Sequence, residues 1–403
     1  IAHWGRTTPD APAVIYYGTE LTWAELDAQS NRFAHLLVDR GIAKGDRVAV
    51  FMPNCPQFHI AFYGILKAGA VHVPVSPLST PDELAYVLND TDARALLLVD
   101  TLLPVAEAAT PGTKVEEVFS TTLAEMLPET PAFNCPPPVA TQPRPCPGTT
   151  PFLPALAGFP ANAIDLSDLD SPAALNYTGG TTGMPKGCIH TQRDMVFTGA
   201  ANWSVTTSRE QGVGLSFFPE FWIAGENIAL VMPPMNGDPM VLLTRWDPLG
   251  VLQAIERYKV TSIGLIVDGA IELMNRPDFK SFDLSSLKRV RVVSFVKKLD
   301  ADIRRRWFDL TGTILAEAAW GMTETHTSNT FTTAMQDDDF DLNQQPVFVG
   351  LPLPQTEFVI RDFDTGAIVP LGEEGEITVR TPALLKGYWR REDATKEAIR
   401  NGF

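Results

Sequence analysis

The chain lacks any apolar run long enough to span a bilayer, because Glu220, Glu226 and Asp238 interrupt its longest candidate, residues 215–243. A helical membrane span is therefore not what organises it. Cysteine is scarce too. Cys55, Cys135, Cys146 and Cys188 show neither metal-ligand spacing nor a disulfide framework, which suits a reducing, cytoplasmic setting. Positive charge is in deficit: 32 Lys and Arg stand against 48 Asp and Glu, a net charge of −16. Such a surface repels a phosphate backbone, which argues against a nucleic-acid partner, and any anionic nucleotide must be held by local donors. No signal peptide is legible, although a chain that opens on Ile1 is weak evidence on that point.

What is present is a 403-residue chain with 45% apolar content, enough for two to four compact units. Thr22 and Glu25 form a capping-box pattern, and Leu26, Phe33, Leu36 and Leu37 then recur at helical spacing up to Gly41. Strand-like runs at residues 47–52, 71–75 and 94–99 alternate with helical patterns at 58–67 and 81–88. That alternation predicts a parallel sheet covered by helices. It resumes later, with strands expected at 214–218, 240–244, 261–266 and 289–293 and helices at 223–232, 249–258 and 300–310, so a second sheet of the same kind follows. His72 lies in a predicted buried strand and reads as a packed or edge-strand histidine. Between them, residues 128–160 are rich in proline and poor in aliphatics, and read as a surface excursion in extended conformation; a proline motif for a partner is the sharper alternative. Residues 357–361 and 376–380 read as hairpin strands of a small β-rich unit.

The densest signal is YTGGTTGMPKG, residues 177–187. Gly179, Gly180 and Gly183 let the backbone come close to a ligand, Thr178, Thr181 and Thr182 add hydroxyls, and Lys186 adds positive charge. Amides, hydroxyls and an ammonium in one turn suit a polyphosphate. The local pattern places this turn between a strand and a helix capped by Thr191 and Asp194. A Gly/Thr-rich surface turn is the plain alternative, and a Walker P-loop does not fit, since Pro185 and Gly187 flank the lysine. A second turn, WGMTE at residues 320–324, follows a predicted strand, where ligands of open parallel sheets bind.

Taken together, the two turns resemble signatures of the adenylate-forming superfamily, which contains acyl-CoA synthetases, luciferases and peptide-synthetase adenylation domains. GEEGEITVR (residues 372–380) and Gly387-Tyr388-Trp389 extend the resemblance over nearly the whole chain. It implies an α/β fold of two helix-covered, mainly parallel sheets packed together, plus a small β-barrel-like subdomain. The expected division is 1–170, 171–345 and 346–403. It also implies ATP-dependent activation of a fatty or aryl carboxylic acid to an acyl-adenylate, with Mg²⁺, followed by transfer to coenzyme A. By resemblance, Lys186, Thr323 and Glu324 are catalytic, and Glu324 is also the Mg²⁺ ligand. The nucleotide falls to residues 178–183 of the first turn, to Lys186, and to Glu317, Ala318, Ala319, Trp320 and Thr323. The acyl pocket falls to Phe221, Trp222, Gly225, Ser294, Phe295 and Gly321. His190 and His326 are neighbours of the site, not general bases. Partners are the acid, ATP and coenzyme A, with a homodimer left open. A peptide-synthetase reading, which needs a carboxylate near Trp222 such as Glu220, and a non-catalytic nucleotide-binding protein are the alternatives.

Four positions depart from the superfamily pattern or end. Gly179 stands where Ser is usual, which removes one hydroxyl worth about 1 kcal/mol to a phosphate. Relatives continue past the position of Phe403 into a small mobile domain, so these residues are expected to be the large domain and to adenylate poorly alone. Ser294-Phe295-Val296 replaces Gly-Gly-Ala and reshapes one wall. Trp222 replaces a common His, either narrowing the acyl pocket or filling the core. Trp222→His is expected to reorder a panel of acid substrates while sparing nucleotide binding; an unchanged order removes Trp222 from the pocket.

Overall fold

The computed structural model describes residues 1–179, 184–206, 210–344 and 348–403. Strands β1 (Pro12–Tyr16) and β2 (Thr19–Thr22) come first, then β3 (Arg47–Phe51), β4 (Val71–Val75), β5 (Ala95–Val99), β6 (Glu117–Thr121) and β7 (Thr150–Pro151). The glycine-rich turn lies between β8 (Pro172–Tyr177) and β9 (Gly187–Thr191). After it come β10 (Gly214–Ser216), β11 (Met240–Leu242), β12 (Ser262–Ile266), β13 (Arg289–Val293) and β14 (Leu315–Glu317). Two seven-stranded sheets result, ordered β7-β6-β5-β3-β4-β8-β9 and β14-β13-β12-β10-β11-β1-β2. Each is parallel apart from one edge strand: β9 runs antiparallel to β8, and β2 to β1. Central strands such as β5, Ala-Leu-Leu-Leu-Val, are buried at every position, as helices on both faces require.

The sheets exchange strands relative to the expected division at residue 170. The β1–β2 hairpin belongs to the second sheet, through Val14 opposite Met240, and β8 belongs to the first, through Ala174 opposite His72. Pairings between residues so distant in the chain leave no trace in local periodicity. One hydrophobic core runs through both units. Polar ties cross between them: Asn54 Nδ2 donates to Phe218 O at 2.9 Å, and Tyr63 Oη to Leu230 O at 2.6 Å.

Several local expectations hold. Thr22 and Glu25 cap the helix Trp23–Asp39 reciprocally, and Thr191 and Asp194 cap Gln192–Ser204. The glycine-rich turn, however, joins two antiparallel strands of a hairpin, because β9 forms before the capped helix begins. The proline-rich segment is also more than an excursion. It contributes edge strand β7 and the short helix Phe152–Leu156, and it buries Phe133, Val139, Phe152 and Leu156. Phe152 meets Phe33 edge-on at 4.9 Å. The expected helix after Trp222 contains a π-turn, Asn227–Val231, which helps bring the adjacent Glu226 and Asn227 both inside. The β-rich unit is carried by two-stranded ladders, among them Glu357–Arg361 with Glu376–Arg380, and among the described residues these ladders share no common sheet. No helix among the described residues is long and apolar enough to cross a membrane.

His72 is packed inside β4, between β3 and β8, against the rings of Phe58 and Phe62. Burial pushes its imidazole down to about 4. An unfolded histidine takes up its proton near 6.5, so the folded state binds fewer protons between those values. Its contribution is intact above pH 6.5 and is lost as pH falls towards 4, by about 3 kcal/mol in all. His72→Leu should therefore lose less of its thermal midpoint between pH 7 and pH 4.5 than the parent; an equal loss would assign acid sensitivity to other groups.

Candidate active site

The glycine-rich turn is closed at its neck by its own backbone. Thr178 N donates to Lys186 O at 3.0 Å, and Lys186 N donates to Thr178 Oγ1 at 3.2 Å. Tyr86 Oη holds Pro185 O at 2.9 Å from the neighbouring helix. A Cβ on Gly179 would meet nothing within 4 Å, so that glycine faces open space rather than packing. Gly180, Thr181, Thr182 and Gly183 lie outside the described residues.

Residues 385–389 run along the free edge of β9. Lys386 N donates to Ile189 O at 2.9 Å, Ile189 N to Gly387 O at 3.0 Å, and Trp389 N to Gly187 O at 2.8 Å. The same segment reaches the WGMTE turn, where Leu385 N donates to Glu324 O at 2.7 Å. Tyr388 thereby joins the two turns: its ring centre lies 4.6 Å from Lys186 Nζ, and its hydroxyl donates to Glu324 Oε1 at 2.7 Å. Burial and the Glu324 carboxylate push the phenol well above its usual range, so it remains a donor at neutral pH. The ammonium and the carboxylate, far apart in sequence, thus meet on one tyrosine.

The WGMTE turn is a tight hairpin, Gly321–Met322 against Thr327–Ser328. A Cβ on Gly321 would lie 2.1 Å from Thr327 O, which accounts for glycine there. Trp320 packs edge-on against Phe358 at 5.5 Å. His190 Nε2 lies 2.7 Å from Thr323 O, and a carbonyl only accepts, so this nitrogen carries the proton. Among the described residues the Thr323 hydroxyl makes no hydrogen bond and is free for a ligand.

Beneath the turn lies a buried polar network. Asn176 Nδ2 donates to Glu226 Oε2 at 2.8 Å, and His326 Nε2 approaches Glu226 Oε1 at 3.6 Å. The rings of His326 and His190 meet edge-on at 4.9 Å, and Lys386 Nζ lies 2.8 Å from Asp194 Oδ1. Burial pushes the Asp194 carboxyl up, but His190, Lys386 and the Thr191 amide outweigh it and hold it below the ordinary range. Glu226 follows the same pattern: burial raises it, and His326, His72 and Asn176 outweigh that. Burial pushes the His190 imidazole down, against the opposing pull of the Asp194 carboxylate and the Thr323 carbonyl. Both histidines support the Thr323 turn and neither reaches open cleft.

A cavity of about 230 Å³ opens over one face of the second sheet, lined by Trp222, Ile228, Gly264, Arg291, Ala318 and Ala319, among others. Residues 1–389 match the AMP-binding enzyme family over almost the whole chain. The chain belongs to that family. It is 29% identical to a long-chain-fatty-acid–CoA ligase of Bacillus subtilis (strain 168) over 411 residues, 98% of this chain and 70% of that one. It is 30% identical to a ligase of the same name from Escherichia coli O157:H7 over 417 residues, 98% and 71% of the two chains. In fold it resembles the inhibitor-bound N-terminal domain of FACL13 from Mycobacterium tuberculosis, with TM-score 0.83, 23% identity, and coverage of 100% of this chain and 92% of that one. The anthranilate CoA ligase AuaEII, solved with anthranoyl-AMP, gives TM-score 0.81 at 24% identity, covering 98% and 71%.

In this AMP-binding enzyme, the residues expected at the acyl pocket divide. Trp222 lines the cavity, 39% exposed, with the Phe295 ring 6.1 Å away at 57% exposure. Phe221 packs against the core instead, and Gly225 is glycine because a Cβ would lie 2.0 Å from Pro219 O. Ser294 donates through its amide, at 3.0 Å, and its hydroxyl to Glu317. Those bonds tie the Ser294 turn to the end of β14, so Ser294 and Glu317 brace the wall without lining the cavity. Burial raises the Glu317 carboxyl despite both bonds. Tyr388, Lys386, Asn176 and Glu226 were not assigned from the sequence; the Gly-Tyr-Trp run was the only available signal, and it carried no role.

Among the described residues no three His, Cys, Asp or Glu side chains converge as a metal cage. Glu324 fits Mg²⁺ in the manner of that ion with nucleotides, as one carboxylate beside substrate phosphates and water. One of its oxygens is bonded by Tyr388. For the buried network, Glu226→Gln should lower the unfolding free energy by roughly 3 kcal/mol, since it strips the charge that faces His326. An unchanged urea midpoint would show that the network is energetically idle.

Proposed function

We propose that this chain activates a carboxylic acid with ATP and hands the acyl group to coenzyme A. The observation that carries this reading is the meeting of Lys186 and Glu324 on Tyr388, beside a cavity whose lining includes Ala318 and Ala319. A substrate carboxylate oxygen attacks the α-phosphorus, the bond to the bridging oxygen breaks, and pyrophosphate leaves with that electron pair. A thiol then attacks the acyl carbon and loses its proton as AMP departs.

The protein's task is positioning and electrostatics. Lys186 supplies positive charge where the polyphosphate would lie over the glycine-rich turn. Thr323 offers a free hydroxyl to the α-phosphate, held in place by His190 at its carbonyl. Glu324 would hold Mg²⁺, which would supply charge neutralisation for the phosphates. The cavity keeps the acid in line and away from water. The long-chain-fatty-acid–CoA ligases similar to this chain support an acyl acid and coenzyme A as the partners. An amino-acid substrate is disfavoured. Glu220, the nearby carboxylate that such a substrate needs, is fully buried and bonded to His59 Nε2 at 2.6 Å.

Acid-dependent ATP–pyrophosphate exchange is the direct measurement. Lys186→Ala and Glu324→Gln should each lower it by at least about 100-fold, the scale for losing one preorganised charge contact, with thermal midpoints close to the parent. Exchange that survives either change would remove that residue from the chemistry.

A further inference from the structure

The cavity floor carries charge that a simple fatty acid does not need. On β13, Arg289, Arg291 and Val293 alternate onto one face of the sheet, and all three line the cavity. Across the ladder, Arg289 sits opposite Ser262 and Arg291 opposite Gly264, also lining residues. A Cβ on Gly264 would press to 3.1 Å from the Phe218 ring, so glycine here leaves that ring its place in the cavity wall. Val293 marks the end of β13 nearest Ala318. At ~3.3 Å per residue, Arg291 begins ~7 Å further along the face and Arg289 ~13 Å.

The two arginines differ in their compensation. Asp238 also lines the cavity and feels the charge of Arg289, while its Oδ1 accepts from Gly212 N and Asn236 Nδ2, each at 2.9 Å. Arg291 has no such answer. Among the described residues no ion pair or hydrogen bond engages its guanidinium, and the charge it feels is a second cation, Arg289. Burial accordingly depresses its proton affinity. An enclosed, unpaired guanidinium is costly, and the usual remedy is a counter-anion. A methyl-ended chain lying over it would leave it unpaired.

We propose that the preferred acid carries a second anionic group at its far end, and that Arg291, lining the cavity without a protein partner, receives it. This rests on the adenylation reading above and specifies its substrate class as an α,ω-dicarboxylic acid of about six to eight carbons, from the strand spacing. Arg289, balanced by Asp238, extends the positive end of the cavity. Arg291 acts here as a specificity residue and takes no part in bond breaking.

The test compares acids of equal length, hexanoate with adipate and octanoate with suberate, in pyrophosphate exchange and in thermal shift of the ATP-free protein. Expected are a kcat/KM at least roughly 10-fold higher for the diacid, as for sites built around a paired group, and a thermal shift with suberate but not octanoate. Arg291→Met should reverse the preference and abolish the suberate shift, with no loss of folding because the half-buried guanidinium makes no ion pair or hydrogen bond among the described residues. Arg291→Lys, which retains charge, should keep part of the diacid preference. A preference for the monoacid, or a ratio untouched in Arg291→Met, overturns the proposal. Exchange with other carboxylic acids but not with the diacids, beside a suberate shift that depends on Arg291, overturns the diacid as the adenylated substrate while upholding the anion site. The absence of any suberate shift overturns the anion site itself.

Discussion

Edge pairing of residues 385–389 on β9 is the constraint from which the site follows. Three backbone hydrogen bonds to β9 and one to Glu324 O fix that segment against both signature turns at once. Tyr388 is then unable to avoid either Lys186 or Glu324. Its protonated phenol spaces the two charges and satisfies one carboxylate oxygen, which keeps cation and anion close without collapse into a direct pair. A phosphate chain lying between the turns would meet an ammonium and a carboxylate whose backbones are already hydrogen-bonded, which leaves less to reorganise at the moment of reaction.

The turn bearing Thr323 and Glu324 needs support from below, and the fold provides it with charge rather than with oil. Asn176 from β8, Glu226 beside the π-turn, His190 from β9 and Lys386 from the edge segment come from four separate elements. Asn176, Glu226 and His190 are buried, so their contacts act at low dielectric, while Lys386 reaches Asp194 from the solvent side. The carboxylates remain ionised because neighbouring histidines and an ammonium outweigh their burial. The cavity over the second sheet differs, since among the described residues no ion pair or hydrogen bond engages Arg291.

Legibility followed the range of the interactions. Thr22 with Glu25 and Thr191 with Asp194 were readable because a capping box spans four residues. Strand runs were readable where both faces are buried, as in β5. The glycine-rich turn and WGMTE were readable as family signatures because their composition is improbable for a plain turn. Strand order was not, since Val14 opposite Met240 and Ala174 opposite His72 are settled by packing across the whole chain. The proline-rich segment misled because its few aromatics, Phe133 and Phe152, find a core supplied by distant elements. Gly225 and Ser294 look like pocket residues in one dimension, and their neighbours Pro219 and Glu317 make them structural braces.

By itself the sequence determined the kinds of group available, the two turns that carry the family resemblance, the alternation that demands parallel sheets, and the acidic balance of the chain. Tertiary structure alone decided which groups meet. It set Lys186 and Glu324 on one tyrosine, sank two histidines beneath Thr323, and left Arg291 facing a cavity without a counter-ion. The reason is physical. Propensity, capping and periodicity act over a few residues, whereas desolvation and charge pairing depend on distance in space, which the order of residues along the chain does not specify.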